Sequence, residues 1–274
     1  MTPRVRARKA LGQHWLADSR YLSRIAAAAE ITDEDTVVEV GAGTGLLTER
    51  LAERATRLIA VELDARLAEA LRERFAGREN VTVIESDVLD AGVEQILAAG
   101  GGGLPYVVVG NLPYYIGTAI VRKFIQDRIR PRRMVVTLQA EVARNMAAAT
   151  GHMSYLSVET QIFASAQVLF RIPARAFRPP PKVESAVVRL DPPENPDVEV
   201  DDVAAFLALA RAGFAAPRKR LRNSLAIGLR IEPLAAEGVI ARAGLDPGRR
   251  PAELSLTDWR ALYFAHRATS AASL

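Results

Sequence analysis

Thr36-Val37-Val38-Glu39-Val40-Gly41-Ala42-Gly43-Thr44-Gly45-Leu46-Leu47-Thr48 is an apolar β-forming run, a glycine turn and the opening of a helix in unbroken succession. Glycines at such a turn let the backbone approach a ligand where a Cβ would collide. A dinucleotide-binding turn is spaced G-x-G-x-x-G and seats a pyrophosphate on the helix N-terminus. Here the spacing is G-x-G-x-G, Leu46 takes the place of the third glycine, and no lysine accompanies the turn. NAD is disfavoured, and a nucleoside ligand without phosphate is favoured.

Working outward, β-rich runs recur at 36–40, 58–63, 81–85, 107–109 and 134–138, with helix-patterned stretches between them. Strands alternating with helices predict an α/β protein with a parallel, doubly wound sheet. A helical stretch at 155–163 follows, then strands at 166–171 and 183–190 on either side of Pro179-Pro180-Pro181, read as a terminal antiparallel pair. The segment 191–197, DPPENPD, has too many prolines and turn formers for a helix or central strand and reads as a linker. It separates a domain at 1–192 from a small all-helical domain at 197–274, with helices expected at 203–214, 218–227, 234–243 and 256–267.

The 274 residues, 49% of them apolar, are enough for one large domain and a small appendage. Four lysines and thirty-two arginines outnumber the acids for a net charge of +4, and the pI is about 9.6, a bias toward a polyanionic partner. The absence of cysteine removes disulfides, thiolate zinc sites and iron–sulfur clusters, and with them radical chemistry on a ring carbon; no metal site is expected. No stretch approaches the roughly 18 apolar residues of a membrane span, so a reducing cytoplasm is the expected location. The arginine-rich N-terminus also has the composition of an organellar leader, but it runs straight into a motif taken up below.

Three strand ends converge on one nucleoside. After the glycine turn, where Gly41 and Gly43 face the ligand, Glu62 ends the second strand about 20 residues on, where a carboxylate accepts both ribose hydroxyls. Asp87, beside Val88, ends the third and is placed to accept from the adenine amino group. Either acid alone reads equally well as a helix cap or a surface charge; both together with the turn do not. A nucleoside carrying a sulfonium and an amino acid fits, and S-adenosyl-L-methionine is such a molecule.

The fourth strand ends in Gly110-Asn111-Leu112-Pro113-Tyr114. An adenine amino nitrogen is a poor nucleophile because its lone pair is delocalised, and two acceptors aimed at its hydrogens favour the pyramidal geometry of attack. The Asn111 side-chain oxygen and the Leu112 carbonyl are the candidates, Pro113 stiffens the turn, and Tyr114 offers a stacking face to an extruded base. Catalysis is then positioning, since the nitrogen loses its proton to water after transfer. Phe177, ahead of the triple proline, is a second candidate for stacking.

Four segments resemble the KsgA family of small-subunit rRNA adenine dimethyltransferases: Lys9-Ala10-Leu11-Gly12-Gln13-His14-Trp15-Leu16, the glycine turn, Asn111 to Tyr114 with the following helix, and Phe177 to Leu190. The resemblance spans nearly the whole chain. It implies a class I S-adenosylmethionine-dependent methyltransferase fold, Rossmann-like, with a mostly parallel seven-stranded sheet, an antiparallel terminal strand and a helical C-terminal domain that recognises RNA. It further implies that His14, Leu16, Gly41, Glu62, Asp87 and Asn111 contact the cofactor and that Asn111, Leu112, Tyr114 and Phe177 meet the base. The reaction implied is dimethylation of two adjacent adenosines in the 3′-terminal hairpin of 16S rRNA during ribosome biogenesis. His14 and Trp15 stand where asparagine and phenylalanine are usual.

The stretch 214–225 resembles the family's F-x-x-R-R-K-T-L-x-N, with Pro217 for an arginine and Arg220 for a threonine. Arg218, Lys219, Arg220 and Arg222 are read as a phosphate-binding helical face, which Arg122, Lys123, Arg128, Arg130, Arg132 and Arg133 extend. The partner implied is the small ribosomal subunit, met by a monomer. An Erm-like enzyme of large-subunit rRNA is the nearest alternative, and a non-catalytic RNA-binding assembly factor is one of another class.

Overall fold

The computed structural model describes residues 13–193 and 200–271. Lys9 to Gly12 of the N-terminal motif and positions 194–197 of the predicted linker lie outside the described residues. In chain order the elements begin with β1 (Trp15–Leu16), α1 (Ser19–Ala28), β2 (Thr36–Val40), α2 (Leu46–Ala52), β3 (Arg57–Glu62), α3 (Ala65–Phe75), β4 (Val81–Glu85), α4 (Val93–Ala99), β5 (Tyr106–Asn111) and α5 (Gly117–Gln126). Then come β6 (Arg133–Gln139), α6 (Ala140–Met146), α7 (Tyr155–Gln161), β7 (Ser165–Ile172), β8 (Phe177–Arg178), β9 (Ser185–Asp191), α8 (Val203–Gly213), α9 (Leu221–Leu229), α10 (Pro233–Arg242) and α11 (Leu256–Ala271).

Among the described residues, contacts gather those up to 143 with 166–193, and 144–165 with 200–271, into two compact units. In the first, seven strands form one sheet in the order β4-β3-β2-β5-β6-β9-β7. β2 pairs in parallel with β3 and with β5, β5 in parallel with β6, and β9 runs antiparallel to β6. Strands covered on both faces read as near-continuous apolar runs, and β2, β3, β5 and β6 are buried along almost their whole length. The chain leaves β2 for β3 on one side and returns to β5 on the other. That reversal opens a crevice at the carboxyl ends of β2 and β5, where Gly41 and Asn111 stand.

The expected pair stands at the edge of the sheet, with β9 next to β7 and seated between it and β6. β9 starts at Ser185, leaving Val183 and Glu184 in the proline-rich loop. A short ribbon adds a non-local tie: Leu16 pairs with Phe177 and Trp15 with Arg178, extended by the Ala17 N–H donating to the Ala176 carbonyl at 2.9 Å. Leu16 and Phe177 are both buried in the core with Ile25, Leu51 and Ile172. This strap fixes the N-terminal segment by main-chain pairing and by apolar burial.

Part of the predicted basic footprint is committed to the fold. Arg132 Nη2 lies 2.5 Å from Asp35 Oδ2, whose side chain is fully buried, and also donates to the Glu30 carbonyl. Arg133 pairs with Glu30 and, at 2.6 Å, with Asp191. A cation held by such carboxylates is not a free phosphate ligand, so Arg132 and Arg133 leave the footprint.

In the second unit, α8 to α11 pack with the excursion 144–165. The Gly151 and Met153 N–H groups both donate to the Ala252 carbonyl, at 2.9 and 3.2 Å, and Arg211 lies 4.9 Å over the Tyr155 ring. Trp259, fully buried, stacks on Phe214 at 5.2 Å. A Cβ at Gly213 would stand 2.4 Å from the indole, so this close crossing requires glycine. Among the described residues no helix is long and apolar enough to cross a membrane.

Candidate active site

A cleft with about 810 Å³ of atom-free space, open to solvent, lies at the strand ends of the first unit. His14, Gly41, Gly43, Glu62, Asp87, Val88, Asn111, Leu112, Pro113 and Tyr114 all line it. Five stretches of sequence thus meet where the switch in strand order puts a ligand. Leu16 instead lines a smaller recess, which shares Gly41, Gly43 and Asn111 with the cleft. Phe177 lines neither: it is 0% exposed, held in the core by its pairing with Leu16. The expectation that the proline segment presents Phe177 to a base is therefore corrected.

The turn has φ of +73° at Gly41 and +57° at Gly43, a region that favours glycine. Trp15 covers it, its Cδ1 3.3 Å from where a Gly43 Cβ would sit. Gly45 serves packing, since a Cβ there would come within 2.8 Å of Leu71 on α3. Glu62, 7% exposed, accepts from the Gly43 N–H at 2.8 Å and the Asp64 N–H at 2.9 Å, one on each oxygen. Burial pushes its carboxyl up, with those N–H groups opposing. A carboxylate has about four acceptor sites, so room remains for two hydroxyls. Asp87 accepts from the Leu89 N–H at 2.8 Å on one oxygen and keeps the other.

Sequence reasoning missed Glu39 as a site residue. It is 1% exposed, lines the recess, and its Oε2 is buried without a hydrogen-bond partner. Burial, with the Glu62 charge adding, pushes its carboxyl up to about 8. The signal in the sequence was a lone acid inside an otherwise apolar β-forming run. Among the described residues lining the cleft are Glu62 and Asp87 but no lysine or arginine. Such a lining fits a ligand with positive charge and no phosphate.

Asn111 carries the most specific geometry. Its Nδ2 donates to the His14 carbonyl at 2.9 Å, which fixes the amide's orientation and leaves Oδ1 buried with no partner. A buried acceptor left unsatisfied costs about 1–3 kcal/mol, so the site is built to receive a donor. The neighbouring Tyr114 hydroxyl meets Ser185 Oγ at 2.5 Å, and its ring stacks with His14 at 5.8 Å and 23°. His14 Nδ1 lies 2.8 Å from the Pro179 carbonyl, in the proline-rich loop. The histidine thus holds shape around the tyrosine.

In the helical unit the basic stretch departs from the expected helical face. α9 begins only at Leu221, so Arg218, Lys219 and Arg220 lie in the turn ahead of it, all exposed. Pro217 disfavours helical geometry in the residue before it, and Ser224 pins the turn, accepting from the Ala216 N–H and donating to the Gly213 carbonyl at 2.5 Å. Among the described residues no carboxylate pairs with those three cations. Arg222, on the helix, is paired with Glu237 at 2.9 Å.

A family model described as ribosomal RNA adenine dimethylase matches residues 4–241. A protein of Dehalococcoides mccartyi strain CBDB1, named ribosomal RNA small subunit methyltransferase A, is 43% identical over 258 residues, covering 94% of this chain and 88% of that one. A protein of the same name from Geobacillus sp. strain WCH70 is 38% identical, covering 93% and 90%. Among solved structures, the 23S rRNA methyltransferase ErmE superposes with a TM-score of 0.71 at 30% identity, covering 92% of this chain and 98% of its own. A dimethyladenosine transferase from Plasmodium falciparum, at 24% identity, shares the fold with a TM-score of 0.79 over 94% and 98%. The fold is that of class I methyltransferases with a helical C-terminal region, and the chain belongs to the ribosomal RNA adenine dimethylase family.

Proposed function

We propose that the chain transfers methyl groups from S-adenosylmethionine to the N6 nitrogens of two adjacent adenosines in the 3′-terminal hairpin of 16S rRNA. It works as a cytoplasmic monomer on the small ribosomal subunit during assembly. The observation that carries this reading is the orphaned, oriented Oδ1 of Asn111. It accepts one amino hydrogen while the Leu112 carbonyl accepts the other, Pro113 holds the turn, and Tyr114 supports the extruded ring.

Gly41, Gly43, Glu62, Asp87 and Val88 would hold the cofactor, with His14 and Leu16 closing the site from the strap. When bound, the cofactor supplies an electrophilic methyl group on a sulfonium. The residues of the chain hold the nucleophile in register and keep bulk water from its lone pair. Arg218, Lys219 and Arg220 face RNA phosphates, with Arg222 as their neighbour on the helix.

The likeness to ErmE makes large-subunit RNA the necessary control. Labelled methyl transfer to undermethylated small subunits and to protein-free large-subunit RNA, followed by nucleoside mass spectrometry, tests the reading. Dimethyladenosine is expected from the small subunit alone. Label appearing only in large-subunit RNA would reverse the assignment.

A further inference from the structure

Tyr114 and Tyr115 follow one another in the turn between β5 and α5, closed by the Ile116 N–H donating to the Pro113 carbonyl at 3.2 Å, and both line the cleft. Their surroundings differ. Tyr114 is anchored at its hydroxyl by Ser185 and on its ring by His14. Tyr115 is 60% exposed, and among the described residues it has no hydrogen bond, ring stack or cation contact. A solitary exposed aromatic is ordinary on a protein surface; this one stands in the cleft wall beside the anchored ring.

We infer that Tyr115 is a stacking platform for a second unpaired base, the neighbour of the adenosine being methylated. The inference rests on the function proposed above. Extruding one base removes a stacking partner from the next, and with two adjacent targets each adenosine takes the neighbour's place in turn. The cleft lining, without lysine or arginine among the described residues, offers no cation to a phosphate there. An aromatic face is what remains to hold a nucleotide, and a base on such a face gains about tenfold or more in affinity without regard to its identity.

The test is steady-state methylation of undermethylated small ribosomal subunits by Tyr115→Ala, Tyr115→Leu and Tyr115→Phe, with cofactor affinity by calorimetry and thermal melting on the same samples. Tyr115→Ala and Tyr115→Leu are expected to raise KM for the subunit about tenfold with kcat nearly unchanged. RNA carrying methyl groups on only one adenosine should accumulate at partial turnover, and Tyr115→Phe should restore both properties. Cofactor affinity and melting temperature should stay at wild-type values in all three. A wild-type KM for Tyr115→Ala, rescue by leucine as good as by phenylalanine, or a loss of cofactor affinity would each overturn the inference while leaving the methyltransferase reading intact. Small subunits left unmethylated by the wild-type chain would overturn both.

Discussion

In the cleft, polar groups are buried and partly satisfied by the fold: the Asn111 amide gives its N–H to His14 and keeps an oxygen free, and Glu62 accepts two backbone N–H groups. In the turn ahead of α9, Arg218, Lys219 and Arg220 are exposed and face no carboxylate among the described residues. One region can act through fixed geometry, the other through charge that follows its partner. Composition does not separate such cases. The stretch 128–133 is as rich in arginine, yet Arg132 and Arg133 are held by Asp35, Glu30 and Asp191.

The largest expected effect tests the cleft's half of this contrast. Asn111→Ala should keep cofactor affinity within roughly tenfold while losing about 2–4 kcal/mol of transition-state stabilisation, read from kcat/KM. Wild-type turnover in that variant would remove the amide from the mechanism. The turn's half is tested by replacing Arg218, Lys219 and Arg220 with alanine together. The slope of log affinity for RNA against log salt should fall by about 0.7–0.9 for each cation, with calorimetric cofactor affinity unchanged. Arg132→Ala should lower stability and leave that slope alone; a slope lost equally in both variants would erase the distinction.

A pH profile probes the buried side of the contrast again. With Glu39 pushed up to about 8 from 4.5, the folded chain binds a proton there that the unfolded chain has released. Its contribution to stability therefore falls as pH rises from 4.5 to about 8 and is flat above. Glu39→Gln should flatten that part of the curve in thermal melts, and equal slopes in the two proteins would refute it. The smallest effect is Ser185→Ala, expected to release the Tyr114 hydroxyl at about 1 kcal/mol. It should lower kcat for RNA with little change in cofactor affinity, and Ser185→Thr should recover most of the loss.

What the sequence made legible was local. The glycine turn, the acids at successive strand ends and the Asn111 to Tyr114 turn each combine strand, turn and chemistry within a few residues, and all reach one cleft. What it hid was set by contacts between distant residues. Ser185 meets Tyr114 across 71 positions, and Phe177 is buried because β8 pairs with β1. Glu39 lay within the first stretch quoted, but only the packed strand shows its oxygen without a partner. The excursion 144–165 joins the helical unit without a proline-rich boundary to announce it. In the basic stretch, spacing suggested a helix through Arg218, whereas Pro217 and the Ser224 bonds hold a turn there.

A carboxamide has two nearly isosteric ends of opposite polarity, and a half-rotation about its last carbon–carbon bond exchanges them. In this protein the choice is made by a peptide oxygen at position 14, so it survives changes of side chain there but depends on the strap being seated. Unseat that ribbon, and Asn111 is free to present its NH2 end to an amine, turning a grip into a repulsion with no atom of the catalytic turn altered.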